Sequence, residues 1–416
     1  MALTSLTPLR HRSFAFTSIS SFVSSVGTWM QSVALGVYLT VTTHNEVWLG
    51  LITVALWLPA LVGSPLGGVV ADRWNRQRWI QVNNTLMALS SGALAILEMT
   101  HHLHPAYAVY LAIVEGFASS ASWAAFQSLI PDLVEPGEVL AAVSLGSAQF
   151  NLGRVIGPLL AAIVLSVGSP GMCFLVNALS FLFVLVMFSF VRTKARPRVE
   201  TKVHFISETL VGARRAWGVP GCRNPIIGVG VVGFIVSPFI ALVPAMAIEV
   251  LHAGKVGTSW LVTAQGVGAV IGALTLPTLA KQTSRLFVLR ASVATLSLAV
   301  VGYALAPNLA LAIVALFVLG GAYVGTLTGL NTTVQLHAPL AERSRILALY
   351  TLSLSIFYPF GALLESAIAK AWGVREVTFT SGVVLAVLVV FVTLLAPHFF
   401  GEMNSPPAEN PILLAD

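Results

Sequence analysis

The sequence predicts an all-α integral membrane protein with twelve transmembrane helices, arranged as two pseudo-symmetric six-helix bundles. Three observations lead to this fold class. The chain of 416 residues is 56% hydrophobic and only 9% charged, whereas a soluble domain carries roughly 25% charged residues. Twelve apolar runs follow one another along the chain, and its two halves resemble each other. A soluble fold of this size could not cover its surface with so few ionisable groups.

Each apolar run is long enough to cross a bilayer, which needs about 20 residues. Apart from the chain ends, the long hydrophilic stretch is 192–222. The predicted domains are therefore a first bundle over 1–191, a cytoplasmic central loop over 192–222, a second bundle over 223–400 and a cytoplasmic tail over 401–416. The predicted spans lie near 13–42, 47–71, 79–100, 106–130, 141–168, 171–191, 223–251, 257–280, 285–306, 308–334, 347–371 and 376–399.

Basic residues predict the orientation of these spans. With a cytoplasmic N-terminus, 18 of the 22 Lys and Arg fall in inside segments, three fall outside and one, Arg154, falls within a span. Inside loops of membrane proteins carry an excess of Lys and Arg. Both termini are therefore predicted to be cytoplasmic, and the predicted location is the cell inner membrane.

The two halves align at a nearly constant offset of 204 to 208 residues. Equivalent positions fall in equivalent spans, which indicates a parallel repeat of six plus six helices. Two similar bundles that enclose a cavity suit transport by alternating access. The matched pairs are Gly27 with Gly233, Gly63 with Gly268, Gly67 with Gly272, Gly116 with Gly321, Gln127 with Gln335, Pro131 with Pro339, and Gly157 with Gly361.

The loop after the second span reads GSPLGGVVADRWNRQRWI. It resembles the cytoplasmic signature G-x-x-x-D-R/K-x-G-R-R/K of the major facilitator superfamily. Asn75 stands where the signature has glycine, a mild change because Asn tolerates a left-handed backbone, and Gln77 replaces a basic residue. The residues that form this predicted gating motif are Gly68, Asp72, Arg73, Arg76 and Arg78.

The resemblance implies that this loop holds the two halves together while the outer side is closed. The Asp72 carboxylate would face the N-terminus of the eleventh span, where the helix dipole is positive. Asp132 or Glu135 would pair with Arg73 or Arg76. The alternative is a solvated turn whose basic residues only enforce topology.

The fifth span contains NLGRVIGPLLAA, whose Gly153, Gly157 and Pro158 resemble the G-x-x-x-G-P motif of antiporters in the superfamily. Small residues at this spacing let two helices approach closely, so generic packing is the alternative. Beyond these motifs, nearly the whole chain resembles the enterobactin-exporter-like and macrolide-efflux-like branch. That resemblance implies a drug:proton antiporter.

Ionisable residues inside the membrane are costly and are candidates for proton coupling. Glu115 in the fourth span and Arg154 in the fifth lie at similar depths, so we expect them to pair. The alternative pairs Arg154 with Asn151, while Glu115 reaches the outer surface. Glu365, in the eleventh span, is a third coupling candidate that either reaches the interface or pairs with Lys370.

In this fold the first, fourth, seventh and tenth spans line the pathway, so the resemblance nominates residues of these spans for the cavity. Trp29 and Gln31 are two apart on a helix and cannot share one narrow face, so at most one of them points inward. Lipid contact or packing is the alternative for each aromatic residue. The cavity candidates are Trp29, Gln31, Trp123, Phe126, Phe234, Tyr323 and Asn331, together with Asn151 of the fifth span.

The predicted function is export of a small amphipathic organic compound, a drug or a siderophore-like molecule, by proton antiport. The alternatives are an importer or facilitator of a small nutrient, and a polytopic membrane enzyme. No catalytic motif, metal cluster or G-x-x-x-x-G-K-[ST] phosphate loop occurs in the sequence, so we expect no enzyme activity and no metal. We expect no cofactor besides the proton gradient, a small-molecule substrate and the bilayer as partners, no nucleic acid, and a monomer.

Overall fold

The structure, a computed structural model, describes residues 4–191, 213–339, 342–396 and 398–403. Within these ranges it describes only the backbone of residues 4–5, 71–73 and 344. The described part of the chain is 89% helical and contains no strands. The helices of the first half are α1 Arg12–Thr43, α2 Val47–Trp57, α3 Ala60–Arg73, α4 Arg76–Met99, α5 Pro105–Leu133, α6 Val139–Val167 and α7 Pro170–Ser189.

The second half repeats this pattern of long helices joined by short loops. Its helices are α8 Pro220–Ile235, α9 Phe239–Ala245, α10 Gly254–Gln282, α11 Arg285–Ala304, α12 Leu309–His337, α13 Arg343–Trp372, α14 Val374–Leu395 and α15 His398–Gly401. A π-helix at Met246–Val250 follows α9, and short 3₁₀ helices lie at Thr4–Arg10 and Pro136–Glu138.

Among the described residues, eleven helices or helix pairs are long and apolar enough to cross a membrane. Of the twelve predicted spans, the first, α1, is not in this set although it has 32 residues. Its seven serines lower its hydropathy. With α1 the observed helices account for all twelve spans, and the predicted all-α membrane fold is confirmed. The cytoplasmic placement of the termini and the predicted domain boundaries stay predictions.

Two of the spans are broken at prolines. Pro59 lies between α2 and α3 in the second span, and Pro238 lies between α8 and α9 in the seventh. Proline cannot donate a backbone hydrogen bond, and its ring clashes with the preceding turn. Pro65 and Pro244, in contrast, lie inside α3 and α9.

Several helix starts are fixed by side chains that cap them. Asn75, Ser284 and Asn308 precede α4, α11 and α12, and each side-chain oxygen accepts a hydrogen bond from the backbone N–H three residues later. Such caps satisfy donors that the first helical turn leaves free. The positions at which these helices begin are therefore encoded locally.

The described chain divides into two compact units. The first comprises the described part of Met1–Thr201 with Ala247–Thr263, and the second the described part of Lys202–Met246 with Ala264–Asp416. In the first unit α1 packs against α6 and α7, α4 against α5 and α7, and α3 against α5. In the second, α8 packs against α12 and α13, and α11 against α12 and α14.

Glycines at matched positions make the same helix contacts in the two units. A Cβ added at Gly67 in α3 would overlap the backbone of Ala121 in α5, and one added at Gly272 in α10 would overlap Gly321 in α12. Both would come inside the 3.0 Å that real Cβ atoms keep. The second and fourth spans thus cross in the way that the eighth and tenth do.

A second matched pair connects the fifth span to the first and the eleventh to the seventh. A Cβ at Gly157 in α6 would lie 2.7 Å from the Val26 carbonyl oxygen of α1, and one at Gly361 in α13 would overlap the Phe234 carbonyl of α8. The repeat that the sequence predicts is therefore visible in the packing inside each unit.

Candidate functional site

A network of buried polar side chains joins four helices of the first unit. Gln31 of α1 donates from Nε2 to Oε2 of Glu115 in α5 at 2.6 Å, and the Ser91 hydroxyl of α4 donates to its Oε1 at 2.7 Å. Asn177 of α7 donates to Oε1 of Gln31 at 2.9 Å and to the Ser91 hydroxyl at 3.3 Å. These bonds close a ring around the Glu115 carboxyl, whose residue is only 7% exposed.

The ring depends on α1 turning one particular face to the interior. Gln31 is 4% exposed, and a Cβ at Gly27, one turn earlier, would approach Oδ1 of Asn177 to 2.6 Å. Glycine at this position leaves room for the Asn177 amide. The hydrogen-bonding partners of Gln31 lie inside the unit, and its predicted place in the cavity stays a prediction.

Aromatic rings from three helices of the first unit form a cluster with Arg154. Trp29 of α1 meets Phe150 of α6 edge to face at a centroid distance of 5.9 Å. Trp123 of α5 lies 6.2 Å from Phe150 and stacks on Phe126 at 6.2 Å. The Arg154 guanidinium carbon lies 5.4 Å from the centroid of the Trp29 ring, a cation–π distance. We call these five residues the Arg154 cluster.

The two faces of α1 explain why the predicted Glu115–Arg154 ion pair is wrong. Both hydrogen-bonding partners that the structure gives Glu115 are neutral, and one of them is Gln31. Arg154 lies over Trp29, which is two residues from Gln31 and about 200° around the helix. Helix α1 therefore separates the carboxyl from the guanidinium. Asn151, the alternative partner of Arg154, donates its amide to the Ser147 carbonyl at 2.8 Å.

A polar stripe along α6 leads to Arg154 and was missed by the sequence analysis. Ser144 and Ser147 are exposed, and Asn151 and Arg154 are partly exposed. Their spacing of three and four residues places them on one helix face. The spacing can be read from the sequence. It does not single out this face, however, because the small residues of α6 occur at the same spacing on several of its faces.

Glu365 is the second carboxyl buried within a membrane span. Its Oε1 accepts a hydrogen bond from the Ser381 hydroxyl of α14 at 2.8 Å, and the residue is 8% exposed. The sequence predicted that the Glu365 side chain reaches the membrane interface or pairs with Lys370. The structure instead gives it this contact with a neighbouring helix. Its role in proton coupling stays a prediction.

The predicted gating motif lies at the junction of α3 and α4. The side chains of Asp72 and Arg73 lie outside the described residues, so the predicted contact of Asp72 stays a prediction. Gly68 lies within α3, and Arg78 is exposed in the first turn of α4. Asn75 has a φ of −69° and caps α4, so its backbone is not left-handed.

Arg76 of the same motif forms an ion pair with Asp132 at the end of α5, as one of the predicted pairings states. Its Nη1 lies 2.8 Å from Oδ2 of Asp132 and donates to the Ser128 carbonyl oxygen at 2.9 Å. The Asp132 side chain is 7% exposed and that of Arg76 is 29% exposed. This pair fixes α4 against α5 next to the loop.

We expect Asp132→Asn to lower the free energy of unfolding by about 1–3 kcal/mol, because it weakens charge-assisted hydrogen bonds at a buried site. Thermal unfolding in detergent checks this loss. The matched control is Glu138→Gln, since Glu138 pairs with His11 at 2.7 Å where both side chains are more exposed. For this control we expect less than about 1 kcal/mol, and equal losses would contradict the prediction.

Gly153, Gly157 and Pro158 hold α6 against α1. A Cβ at Gly153 would lie 2.5 Å from the Ser25 hydroxyl, and one at Gly157 would lie 2.6 Å from Cβ of Trp29. All three residues of the motif are buried. The motif therefore sets the distance between the two helices that carry Trp29 and Arg154.

The cavity candidates of the second unit lie in different surroundings. The Tyr323 hydroxyl lies 2.9 Å from Oγ of Ser237, and its residue is 7% exposed, so it contacts the interior of the unit. Phe234 is partly exposed and meets Phe357 edge to face at 6.4 Å. Asn331 is partly exposed and accepts a hydrogen bond from Gln335.

A cavity of about 660 Å³ also lies in the second unit, between α10, α11 and α12. Its lining combines small residues such as Gly325 with the hydroxyls of Thr328 and Thr332 and the cations of Lys281 and Arg285. The sequence analysis did not predict it, because the lining residues come from three separate helices.

The profile of the transmembrane secretion effector family, MFS_3, matches residues 3–410. The chain belongs to this family of the major facilitator superfamily. It is accordingly a multi-pass transporter of the inner membrane and not an enzyme.

Curated relatives of this major facilitator protein are transporters by name. The enterobactin exporter EntS of Citrobacter koseri is 25% identical over 401 residues, 95% of this chain and 93% of the relative. The multidrug efflux pump Tap of Mycolicibacterium fortuitum is 24% identical over 334 residues, 78% and 81% of the two chains. The staphyloferrin A transporter of Staphylococcus aureus is 27% identical over 169 residues, only 40% of this chain and 43% of the relative.

Solved structures of the superfamily share the fold at low sequence identity. A mutant of the nucleoside transporter NupG superposes with a TM-score of 0.77 at 14% identity, covering 94% of this chain and 100% of that one. A bacterial homologue of the lysosomal transporter Spinster, in an inward-facing and unoccupied conformation, gives a TM-score of 0.73 at 14% identity, covering 96% and 99%. The predicted family and fold are confirmed.

Proposed function

We propose that this transporter exports a small amphipathic organic compound, in exchange for protons and by alternating access. The observation that carries the proposal is the Glu115 carboxyl, enclosed by the side chains of Gln31, Ser91 and Asn177 in the middle of a membrane-spanning unit. The proposal also draws on the names of the relatives, which describe an enterobactin exporter and a multidrug efflux pump.

The Glu115 network has the chemistry of a proton carrier. An ionised carboxylate that lacks a cation is costly to bury, and proton binding removes that charge. The Ser91 hydroxyl can reverse its role, donating to the carboxylate and accepting from the carboxylic acid. Proton binding would thus reorganise the hydrogen bonds that connect α1, α4, α5 and α7. Of these helices, α1 and α5 carry cavity candidates.

The export direction and the mechanism have separate support. Relatives along most of the chain are named as exporters, and the Gly153, Gly157 and Pro158 motif resembles that of antiporters. Alternating access is supported by the repeated packing of the two units, since such repeats allow two similar bodies to move about one site. We propose that the chain acts as a monomer without a cofactor and takes its energy from the proton gradient.

Everted membrane vesicles from overexpressing cells test this function. With an acidic lumen, we expect them to accumulate either ethidium, an amphipathic cation, or anilinonaphthalene sulfonate, an amphipathic anion. Nigericin, which collapses the pH gradient, should release the accumulated probe. Vesicles from cells in which the gene is deleted provide the control.

Two other results would decide against the proposal. Accumulation that survives nigericin would contradict proton coupling. Uptake only in right-side-out vesicles would favour the alternative, an importer or facilitator of a small nutrient.

A further inference from the structure

The cavity of the second unit begins between the ends of three helices and extends into the unit. Its volume of about 660 Å³ lies within the roughly 300–1,000 Å³ that is usual for small-molecule sites. Along α10 its lining runs from Gly272, where α10 crosses α12, to Lys281, the last residue but one of α10. At a rise of 1.5 Å per residue this is a depth of about 14 Å. The cavity therefore occupies the space between the helix crossing and the helix ends.

The chemistry of the lining differs between the mouth of the cavity and its interior. Lys281 at the end of α10 and Arg285 at the start of α11 place two cations at the mouth. Farther in, α10 and α11 contribute small and aliphatic side chains, and α12 adds two threonine hydroxyls. These inner residues include Ala273, Leu276, Val288, Leu289, Thr328 and Thr332. The cavity is thus cationic at the helix ends and mainly apolar below them.

The two cations at the mouth lack a neutralising group. Lys281 and Arg285 are exposed, and neither side chain has a hydrogen bond or an ion pair with any residue that the structure describes. No Asp or Glu occurs among the described residues that line the cavity. His337, which also lines it, has its Nδ1 2.8 Å from the Thr333 carbonyl oxygen. A concave site lined by charges of one sign attracts ions of the opposite sign, so the mouth is suited to an anion.

Exposed apolar side chains border the cavity on two of its walls. Leu274, next to Ala273 of α10, is 73% exposed, and Phe287, next to Leu286 of α11, is 57% exposed. Large apolar side chains on the surface of a membrane-spanning helix contact lipid tails, because such a surface is unfavourable in water. An acyl chain can therefore enter the apolar part of the cavity from the bilayer.

We infer that this cavity binds one anionic phospholipid. Its phosphate lies between Lys281 and Arg285, at the level of the lipid headgroups, and one acyl chain lies against Ala273 and Leu276. The order of charge and apolar surface in the cavity is then the order of headgroup and chain in a bilayer. Basic pockets between membrane helices on the cytoplasmic side suit anionic headgroups, and the distribution of Lys and Arg predicts that this end is cytoplasmic. The inference goes beyond the proposed function and does not depend on it.

Native mass spectrometry of the full-length protein, titrated with single lipids in detergent, tests the site. Phosphatidylglycerol and phosphatidylcholine with the same palmitoyl and oleoyl chains differ in net charge, and glycerophosphoglycerol has the anionic headgroup without chains. We expect the first phosphatidylglycerol to bind more tightly than the first phosphatidylcholine by roughly 10- to 30-fold, as two cations near the membrane surface predict. Glycerophosphoglycerol should not bind at concentrations of phosphatidylglycerol that fill the site.

Variants assign the preference to particular side chains. The double variant Lys281→Gln with Arg285→Gln should lower the affinity for phosphatidylglycerol to that for phosphatidylcholine and leave phosphatidylcholine binding unchanged, a result that also shows that the variant is folded. Ala273→Phe should weaken the binding of both lipids alike, because the larger side chain occupies the apolar part of the cavity. The matched control is Arg290→Gln, which removes a cation of α11 that lies over the Phe400 ring at 5.0 Å and outside the cavity lining. This control should keep the wild-type preference.

Four results would overturn the inference. The first two are equal affinity of the wild type for the two lipids and an unchanged preference in the double variant. Binding of glycerophosphoglycerol as tight as that of phosphatidylglycerol would mean a site for a free anion. Displacement of phosphatidylglycerol by a compound that the vesicles export would mean a cargo site. No gradient is imposed in this assay, so a failure of proton coupling would leave its result unchanged.

Discussion

Glu115→Gln is expected to abolish accumulation that is driven by the pH gradient while exchange of the substrate across the membrane continues. Glutamine keeps the size of the side chain and can still accept from Gln31, but it cannot take up or release a proton. Without the titrating group the protein becomes a facilitator that equilibrates its substrate. The measurements are accumulation in everted vesicles under an imposed pH gradient and counterflow in the absence of a gradient.

Two variants accompany this experiment. Glu365→Gln changes a second buried carboxyl, which contacts Ser381, and Glu138→Gln changes a carboxyl that pairs with His11 near the end of the bundle. We expect the Glu138 variant to retain gradient-driven transport. If Glu365→Gln uncoupled transport and Glu115→Gln did not, the proton carrier would be Glu365 and the role given to Glu115 would be wrong.

Gly268→Ala is expected to destabilise the second unit by about 3 kcal/mol, at the upper end for overpacking. The new methyl group would overlap the backbone of Phe317 in α12, which cannot rotate away as a side chain can. Helices α10 and α12 would have to separate at their closest crossing. The unfolding temperature in detergent and the yield of monodisperse protein measure the effect.

Gly302→Ala is the matched control, because it makes the same chemical change in α11. No atom lies within 4 Å of the added Cβ, and alanine is favoured over glycine in a helix by up to about 1 kcal/mol. The two variants should therefore shift the unfolding temperature in opposite directions. A stable Gly268→Ala protein would mean that α10 and α12 do not approach as closely as the structure describes.

The number and limits of the membrane helices could be predicted from the sequence because their causes are local. Each span needs about 20 apolar residues to cross the lipid, and polar loops must separate one span from the next. The breaks lie at Pro59 and Pro238, which lack a backbone N–H, but Pro65 and Pro244 lie inside helices, so proline alone did not decide where a span breaks. The repeat could be found because glycine is needed wherever two backbones meet, as at Gly157 and Gly361.

The site could be predicted only in part. Glu115 and Arg154 stand out in the sequence because charges are rare inside spans, yet similar depth led to the wrong pairing. Depth follows from position along a helix, whereas pairing also depends on which way each helix is rotated. Trp123 and Phe126 were nominated, but their contact with Phe150 depends on how α5 meets α6.

The sequence by itself determined that this chain crosses the membrane in two similar sets of six helices, since hydropathy and glycine spacing act over short stretches. Only the tertiary structure decided which face of α1 points inward. Gln31 meets Glu115 at a separation of 84 residues and Asn177 at 146. These polar groups bond to one another because the hydrocarbon core of a bilayer cannot satisfy their hydrogen bonds. Their burial leaves Trp29 and Arg154 together on the opposite side of α1.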